Sequence, residues 1–403
     1  MTTAPQRTDE PAYPTRYREA EARGARLGRP LRLVARVGEV DEALMNDIGA
    51  SFRRCDEAGA RLAHAMRLRA GDPERVSMEA FRTALHDGVC VDDPAALRAF
   101  FAAVEATPDW VNWDLLARGQ VVYHRFGQNA ADVLLQLSLI GGYRFGGPTD
   151  LLVATGGLTG DLTVRRLAET QKWATELSVP DGLRRDGEAW RLTVHVRAMH
   201  ALVNESFAPQ WDAERWGLPI NQGDQAATLG LFDAVVLLGV RALGVPLSSA
   251  DSRAVMHLWK YVGWLMGVEE QFLVDTERER HRINYHLLLA QADMSEAGPQ
   301  LAQAILAAQT DLHYESFSWV RGHFARERLL SMLTVFLGPQ SMRELGLPLR
   351  PPWAHLYIGL LNTWRYRTPW GRRGLDRAGH VVRKRVLGRY FGPDHHDVGT
   401  LKV

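Results

Sequence analysis

Arg197-Ala-Met-His200-Ala-Leu-Val-Asn204 and Arg166-Leu-Ala-Glu-Thr170 are the two stretches that decide the fold. On a helix, Arg197 and His200 stand three residues apart and Arg166 and Thr170 stand four apart, so each pair shares one face. Apolar residues flank both stretches, so we expect these faces to turn inward. Two arginines, a threonine and a histidine are costly to bury unless an anionic, metal-bearing group meets them.

A haem meets that requirement. The imidazole of His200 can ligate the iron, and the guanidinium groups of Arg166 and Arg197 can pair with the propionates. Thr170 can donate its hydroxyl to the haem edge or to bound dioxygen, or it can bond back to its own helix. An isolated histidine is more often a core residue satisfied by a backbone carbonyl, so spacing alone leaves the haem a hypothesis.

The rest of the chain also has the pattern of helices. Apolar residues recur at three- and four-residue spacing in the stretches 44–55 and 97–104. Residues 132–143 are almost all apolar, which predicts a helix buried on most sides. Ser248 has the position of a helix N-cap, with Asp251 three residues later. Alternating runs with hairpin turns do not accumulate, so we predict an all-α fold.

Composition favours one large domain and excludes some partners. The chain has 403 residues, of which 46% are hydrophobic and twelve are Trp, which is ample for a core. The 48 basic and 47 acidic residues create no field that would attract nucleic acid, so no nucleic-acid partner is expected. Cys55 and Cys90 form no paired motif, which fits a reducing compartment.

Several motifs follow one another in an order that resembles a known family. They are PDWVNW (108–113), SLIGGY (138–143), ATGGL (154–158), the Arg166 and Arg197 stretches, LPIN (218–221) and GVRALG (239–244). This order resembles the latex-clearing-protein (rubber oxygenase) family, whose catalytic domain is shared with the oxygenase of mycophenolic acid biosynthesis. The resemblance covers roughly residues 40–345 and implies a single large globin-like helical domain that encloses a b-type haem.

The resemblance assigns roles to individual residues. It makes His200 the proximal iron ligand, with its second ring nitrogen donating to a carbonyl. It places a distal acidic residue at Asp150, where the family has a glutamate considered as a base for an allylic proton. The Gly-Gly-Pro-Thr before Asp150 equally predicts an N-cap.

Glu169 departs from the family pattern. The best-studied rubber-cleaving members carry a lysine here that can cap the iron, and a carboxylate cannot play that part well. Polyisoprene is therefore in doubt as the substrate. Glu169 is left to handle protons or to face solvent, and Lys172 is a less favoured substitute for the cap.

The function implied by the resemblance is a haem b-dependent oxygenase. It would add dioxygen to an apolar, unsaturated, isoprenoid-like small molecule, with oxidative cleavage of the C=C bond as one outcome. The alternatives are a haem-binding protein or sensor without turnover, and a haem-free helical protein that keeps only the scaffold.

We divide the chain into three parts. Residues 1–28 are polar and predicted to be a disordered or loosely attached arm, 29–345 form the rubber-oxygenase-like domain, and 346–403 form a basic helical extension. The N-terminus has no apolar signal region and no uncharged run reaches the length of a membrane span, so we expect a cytoplasmic protein. An exported protein whose leader has been removed would look the same.

Two further stretches carry chemistry-bearing side chains. Residues 365–389 are basic with interleaved apolar residues, which predicts either a membrane-surface helix or, as we prefer, a solvated helix docked on the domain. Glu277, His281 and His286 share one predicted helix, but their spacing matches no zinc or di-iron motif, so we expect them at the surface.

Overall fold

The computed structural model describes residues 13–156, 169–311 and 317–391. Over these ranges the secondary structure is helical and no strand occurs, which confirms the all-α prediction.

The helices have the following bounds. Helices α1 to α9 are Glu21–Leu27, Arg29–Ala35, Glu42–Ser51, Glu57–Met66, Met78–Asp87, Ala95–Glu105, Trp113–Phe126, Gln128–Val133 and Pro148–Ala154, with a π-helix at Leu134–Ile140 between α8 and α9. Helical residues 169–176 are α10. Helices α11 to α21 are Glu188–Phe207, Ala213–Trp216, Gln222–Phe232, Ala234–Ala242, Ser249–Leu265, Glu277–Ala290, Ala297–Asp311, Ser318–Glu344, Trp353–Arg367, Pro369–Arg373 and Leu375–Phe391.

Side-chain caps set the beginnings of several helices. Asp41, Ser77, Asn112, Asn221 and Ser248 each accept a hydrogen bond from the backbone N–H three residues later. The predicted cap at Ser248 is thus confirmed, and its hydroxyl also donates to Asp251 Oδ2 at 2.6 Å. Each cap satisfies a backbone donor that the first turn of a helix leaves unpaired.

Two apolar clusters form the core. In the larger one, α7 packs along α15 and α11 packs on α4, with residues such as Trp190 and Trp259 almost fully buried. The smaller one joins the π-helix, α17 and α18 through residues such as Ile140, Leu301 and Leu333. The stretch 132–143 is helical as predicted, but it adopts the π form from Leu134 onward. Apolar periodicity indicates burial here and does not distinguish the α form from the π form.

The second half of the predicted N-terminal arm belongs to the packed domain. Arg16 is fully buried, its Nη2 lies 2.7 Å from Asp224 Oδ2, and its guanidinium stacks 4.0 Å from the centre of the Phe52 ring. Gly24 on α1 lies so close to the Leu288 carbonyl that a Cβ would clash with it. The polar composition predicted loose attachment for residues 13–28, but these long-range contacts hold them in place.

A buried ion pair separates α13 from α14. The stretch Gln222–Ala242 is long and apolar enough to cross a membrane by length and composition alone, and 56% of its most apolar window is buried inside the domain. Asp233 interrupts it, because its carboxylate caps the N–H of Ala234 and accepts from Arg280 Nε at 2.6 Å. Both side chains of this pair are fully buried. Burial raises the pKa of Asp233, and the Arg280 charge opposes that rise.

The histidines of α16 are not at the surface. His281 and His286 are both fully buried, so the prediction of a surface position was wrong. His286 Nε2 accepts from the Asp41 N–H at 2.9 Å and its Nδ1 contacts the Arg282 carbonyl, which makes it a structural link to α3. Burial lowers the pKa of His281 to about 4.

Candidate functional site

His200 lies in the third turn from the end of α11 and lines a cleft between α11 and α4. The cleft is narrow, with a cavity volume of only about 10 Å³, and Cys55, Asp56, Ile220 and Met266 also line it. Burial lowers the pKa of His200 to about 4, although the nearby Asp56 charge opposes the shift. The imidazole is therefore neutral at pH 7, which is the form that ligates a metal.

The ring nitrogen Nδ1 of His200 is buried and has no hydrogen-bond partner among the described residues. A buried polar atom without a partner is unusual, because it loses its water without gaining a bond. Coordination of a metal would use a ring lone pair of this kind. We expected from the sequence that one ring nitrogen of His200 donates to a carbonyl, and Nδ1 makes no such hydrogen bond.

His195, five residues earlier, faces another part of the domain. Its ring centre lies 6.2 Å from that of Phe81 on α5, and burial lowers its pKa. His195 and His200 are about 140° apart around the helix. One iron cannot bind both, and only His200 lines the cleft.

Arg197 is buried and already has an acidic partner. Its Nε and Nη2 bind the two carboxylate oxygens of Asp56 at 2.6 and 2.7 Å, and its Nη1 donates to the Leu265 carbonyl at 3.1 Å. This two-pronged pair holds α11 against the start of α4. No motif in the sequence indicated Asp56, which is 141 residues away from Arg197.

We expect the Arg197–Asp56 pair to stabilise the fold. Because both side chains are about nine-tenths buried, Arg197→Ala should lower the free energy of unfolding by about 3 kcal/mol. Asp56→Ala should cost a similar amount, and the double variant should cost less than the sum, which denaturant titration measures. The exposed pair Arg118–Asp251 is the control, and its loss should cost under about 1 kcal/mol. Additive costs for Arg197 and Asp56 would show that the two side chains do not act as a pair.

Helix α10 carries the second predicted group of site residues. Arg166 lies outside the described residues, Glu169 is half-buried, and Thr170 is exposed. Lys172 lies 3.8 Å from Glu188, and Trp173 Nε1 donates to Thr193 Oγ1 at 2.9 Å, so α10 and α11 form a hairpin. Lys172 itself is buried beside Glu188 on α11.

Asp150 occupies the third position of α9. Its Oδ2 accepts from the Gly147 N–H at 2.8 Å and lies 3.4 Å from the Thr149 hydroxyl. The carboxylate therefore caps the helix, which was one of the two predicted roles. It does so from the third helical position, because the N-cap position itself is occupied by Gly147. A catalytic role for its other oxygen stays a prediction.

An aromatic cluster next to α10 was not predicted. The rings of Trp173, Phe232 and Trp259 lie 5.2–5.8 Å apart, and Tyr123 lies 5.6 Å from Trp259. These residues come from α10, α13, α15 and α7, so only the tertiary fold brings them together. The cluster belongs to the larger core and begins one turn after Thr170.

The donor set around His200 is a single imidazole, the kind of ligand that a haem iron takes from a protein. Within the three described ranges, no group of three or more His, Cys, Asp or Glu is placed to hold a bare metal ion. A single neutral imidazole is enough for an iron that a porphyrin already holds, and the unpartnered Nδ1 is consistent with such a use.

The chain belongs to the family described as ER-bound oxygenase mpaB/B′/rubber oxygenase, catalytic domain, whose model matches residues 126–370. It is 25% identical over 115 residues to the rubber oxygenase of Streptomyces sp. (strain K30), and this alignment covers 28% of each chain. Its fold is similar to the solved structure of the latex clearing protein LCP in the closed state. That similarity has a TM-score of 0.63 and 19% identity, and it covers 83% of this chain and 91% of the other.

Proposed function

We propose that this protein is a haem b-dependent oxygenase that adds dioxygen to an apolar, unsaturated, isoprenoid-like molecule. The observation that carries the proposal is the neutral imidazole of His200, whose Nδ1 is buried and unpartnered among the described residues, in a chain that belongs to an oxygenase family. When bound, the haem iron would supply the activation of dioxygen.

Each site residue has a part in this proposal. His200 would hold the haem iron, and Arg166 would pair with a propionate. Arg197 would serve the haem edge only if it shared its guanidinium with Asp56, since that carboxylate already compensates its charge. Thr170 would donate a hydrogen bond at the same edge.

Asp150 is the proposed site of proton transfer. Its Oδ2 is occupied by the Gly147 N–H, which leaves Oδ1 to take or give a proton. The aromatic cluster of Trp173, Phe232 and Trp259 would keep water from the apolar substrate.

Dioxygen uptake by the purified holoprotein tests the proposal. An isoprenoid alkene should stimulate uptake and yield carbonyl products, whereas its saturated analogue should do neither. Haem binding without uptake for a series of alkenes would favour the second candidate, a haem-binding sensor without turnover. Glu169 motivates that candidate, because it puts a carboxylate where rubber-cleaving relatives are expected to carry a lysine.

We expect Glu169→Lys to change the haem spectrum. A lysine next to iron has its pKa lowered by desolvation and by the positive charge, so a neutral amine becomes available as a ligand. The absorption spectrum of the ferric protein should therefore shift from a high-spin form toward a six-coordinate, low-spin form. Glu205→Lys, a part-exposed position on α11, is the matched control and should leave the spectrum unchanged. A wild-type protein that is already low-spin, and that loses this property in Lys172→Ala, would make Lys172 the ligand instead.

A further inference from the structure

Helix α19 presents an apolar face to solvent. Leu356, Leu360 and Trp364 follow one another at four-residue spacing and are 67%, 74% and 54% exposed, with Tyr357 and Leu361 beside them. The opposite face, which includes Ala354, Ile358 and Asn362, is buried against the domain. A solvent-facing helix surface is normally polar, so an apolar strip three turns long indicates a surface that is covered in use.

The apolar surface continues onto the start of α18. The rings of Phe324 and Trp353 lie 5.6 Å apart, and those of Trp353 and Tyr357 lie 5.9 Å apart. Phe324 and Trp319 are themselves more than half exposed. We call this combined surface of α18 and α19 the apolar face.

Basic residues follow directly after the apolar face. Residues 353–391 contain nine Lys or Arg and a single acidic residue, Asp376, whereas the net charge of the full chain is only +1. Arg367, Arg372, Arg373, Arg377 and Lys384 are exposed. Trp370, between them, is 75% exposed. Apolar side chains with tryptophan at the edge and arginine around them match the layers of a bilayer surface, with its apolar interior and anionic headgroups.

For the basic stretch 365–389, we preferred from the sequence a solvated helix docked on the domain over a membrane-surface helix. The basic stretch 365–389 was considered as a membrane-surface helix on the strength of its own apolar residues. One of these, Leu375, is buried on the domain. Val381 on α21 is 49% exposed, but the run of exposed apolar side chains at helical spacing lies earlier, on α19, and the basic helices α20 and α21 supply the charge.

We infer that the apolar face and the basic residues after it dock this protein on the surface of an anionic phospholipid membrane. Charge favours this partner over a second copy of the chain, because two such faces brought together would place like charges side by side. The inference does not depend on the haem or on any activity. Docking there would let a lipid-dissolved molecule reach the protein without passing through water.

Co-sedimentation of the full-length protein with vesicles tests the inference. The protein should sediment with vesicles of phosphatidylcholine mixed with phosphatidylserine, far less with phosphatidylcholine alone, and less as salt is raised. Leu360→Asp should lower the partition coefficient by about tenfold or more. It removes a leucine that would be buried in the membrane, and it adds a negative charge that the anionic lipids repel. Arg373→Glu should lower it by about fivefold or more, because each basic residue near an anionic surface contributes about 1 kcal/mol.

Matched variants on other surfaces keep the test specific. Leu33→Asp alters a leucine on α2 that is 79% exposed, and Arg69→Glu reverses an exposed arginine after α4, so neither should change vesicle binding. Equal binding by Leu360→Asp and wild type would overturn the inference, as would equal binding to neutral and anionic vesicles. A wild-type dimer in solution that Leu360→Asp converts to a monomer, without vesicle binding by either, would assign the face to a second copy.

Discussion

His200→Ala is expected to yield folded protein that does not retain haem and shows no Soret band. The imidazole is the one ring in the cleft, and nothing among the described residues lining the cleft replaces it as a nitrogen ligand. Free imidazole added to the variant should restore part of the band by occupying the space that the side chain leaves. The measurement is the absorption spectrum after haem titration, with circular dichroism to confirm that the helix content is unchanged.

His195→Ala is the matched control. It removes a histidine from the same helix, but one that faces Phe81, so haem binding should be unaffected. If His195→Ala loses haem and His200→Ala keeps it, the ligand assignment is wrong.

Asp233→Ala is expected to destabilise the protein by about 3–5 kcal/mol, because it leaves the charge of Arg280 buried without its partner. Arg280 is fully buried, and its Nη1 and Nη2 already lack partners among the described residues. The carboxylate also caps α14, so the variant loses that contact as well. Denaturant titration measures the effect as a lower midpoint.

Asp275→Ala provides the comparison for this effect. Asp275 pairs with Lys260 at 2.9 Å, but its side chain is 66% exposed, so its loss should cost no more than about 1 kcal/mol. The double variant Asp233→Ala with Arg280→Met removes both buried charges and should recover part of the lost stability. Equal costs for Asp233→Ala and Asp275→Ala would show that burial does not control the strength of these pairs.

The sequence predicted those features that depend on local pattern. Helical periodicity and capping residues predicted the all-α class, the helical state of the stretch 197–204 and the cap at Ser248, because each depends on residues within one or two turns. The order of motifs identified the family before any geometry was known, and the match over residues 126–370 confirms it.

Features that depend on distant partners were missed. Arg16 was assigned to a loose arm, because nothing near it in sequence indicates Asp224, which is 208 residues away. The Asp56 partner of Arg197 was missed for the same reason, since it lies 141 residues away. His281 and His286 were expected at the surface because their neighbours in sequence are charged. Both are fully buried, and the spacing of charged residues does not show which face of α16 packs on the domain. The apolar face on α19 was overlooked because a helix with apolar residues on all sides looks like a core helix in sequence.

The most direct test of the haem proposal is a titration of the purified wild-type protein with haem b, followed by absorption spectroscopy. We expect a saturable Soret band at one haem per chain and a ferric spectrum of the high-spin type. A titration that gives only the spectrum of free haem would contradict the proposal and leave the helical scaffold without the cofactor.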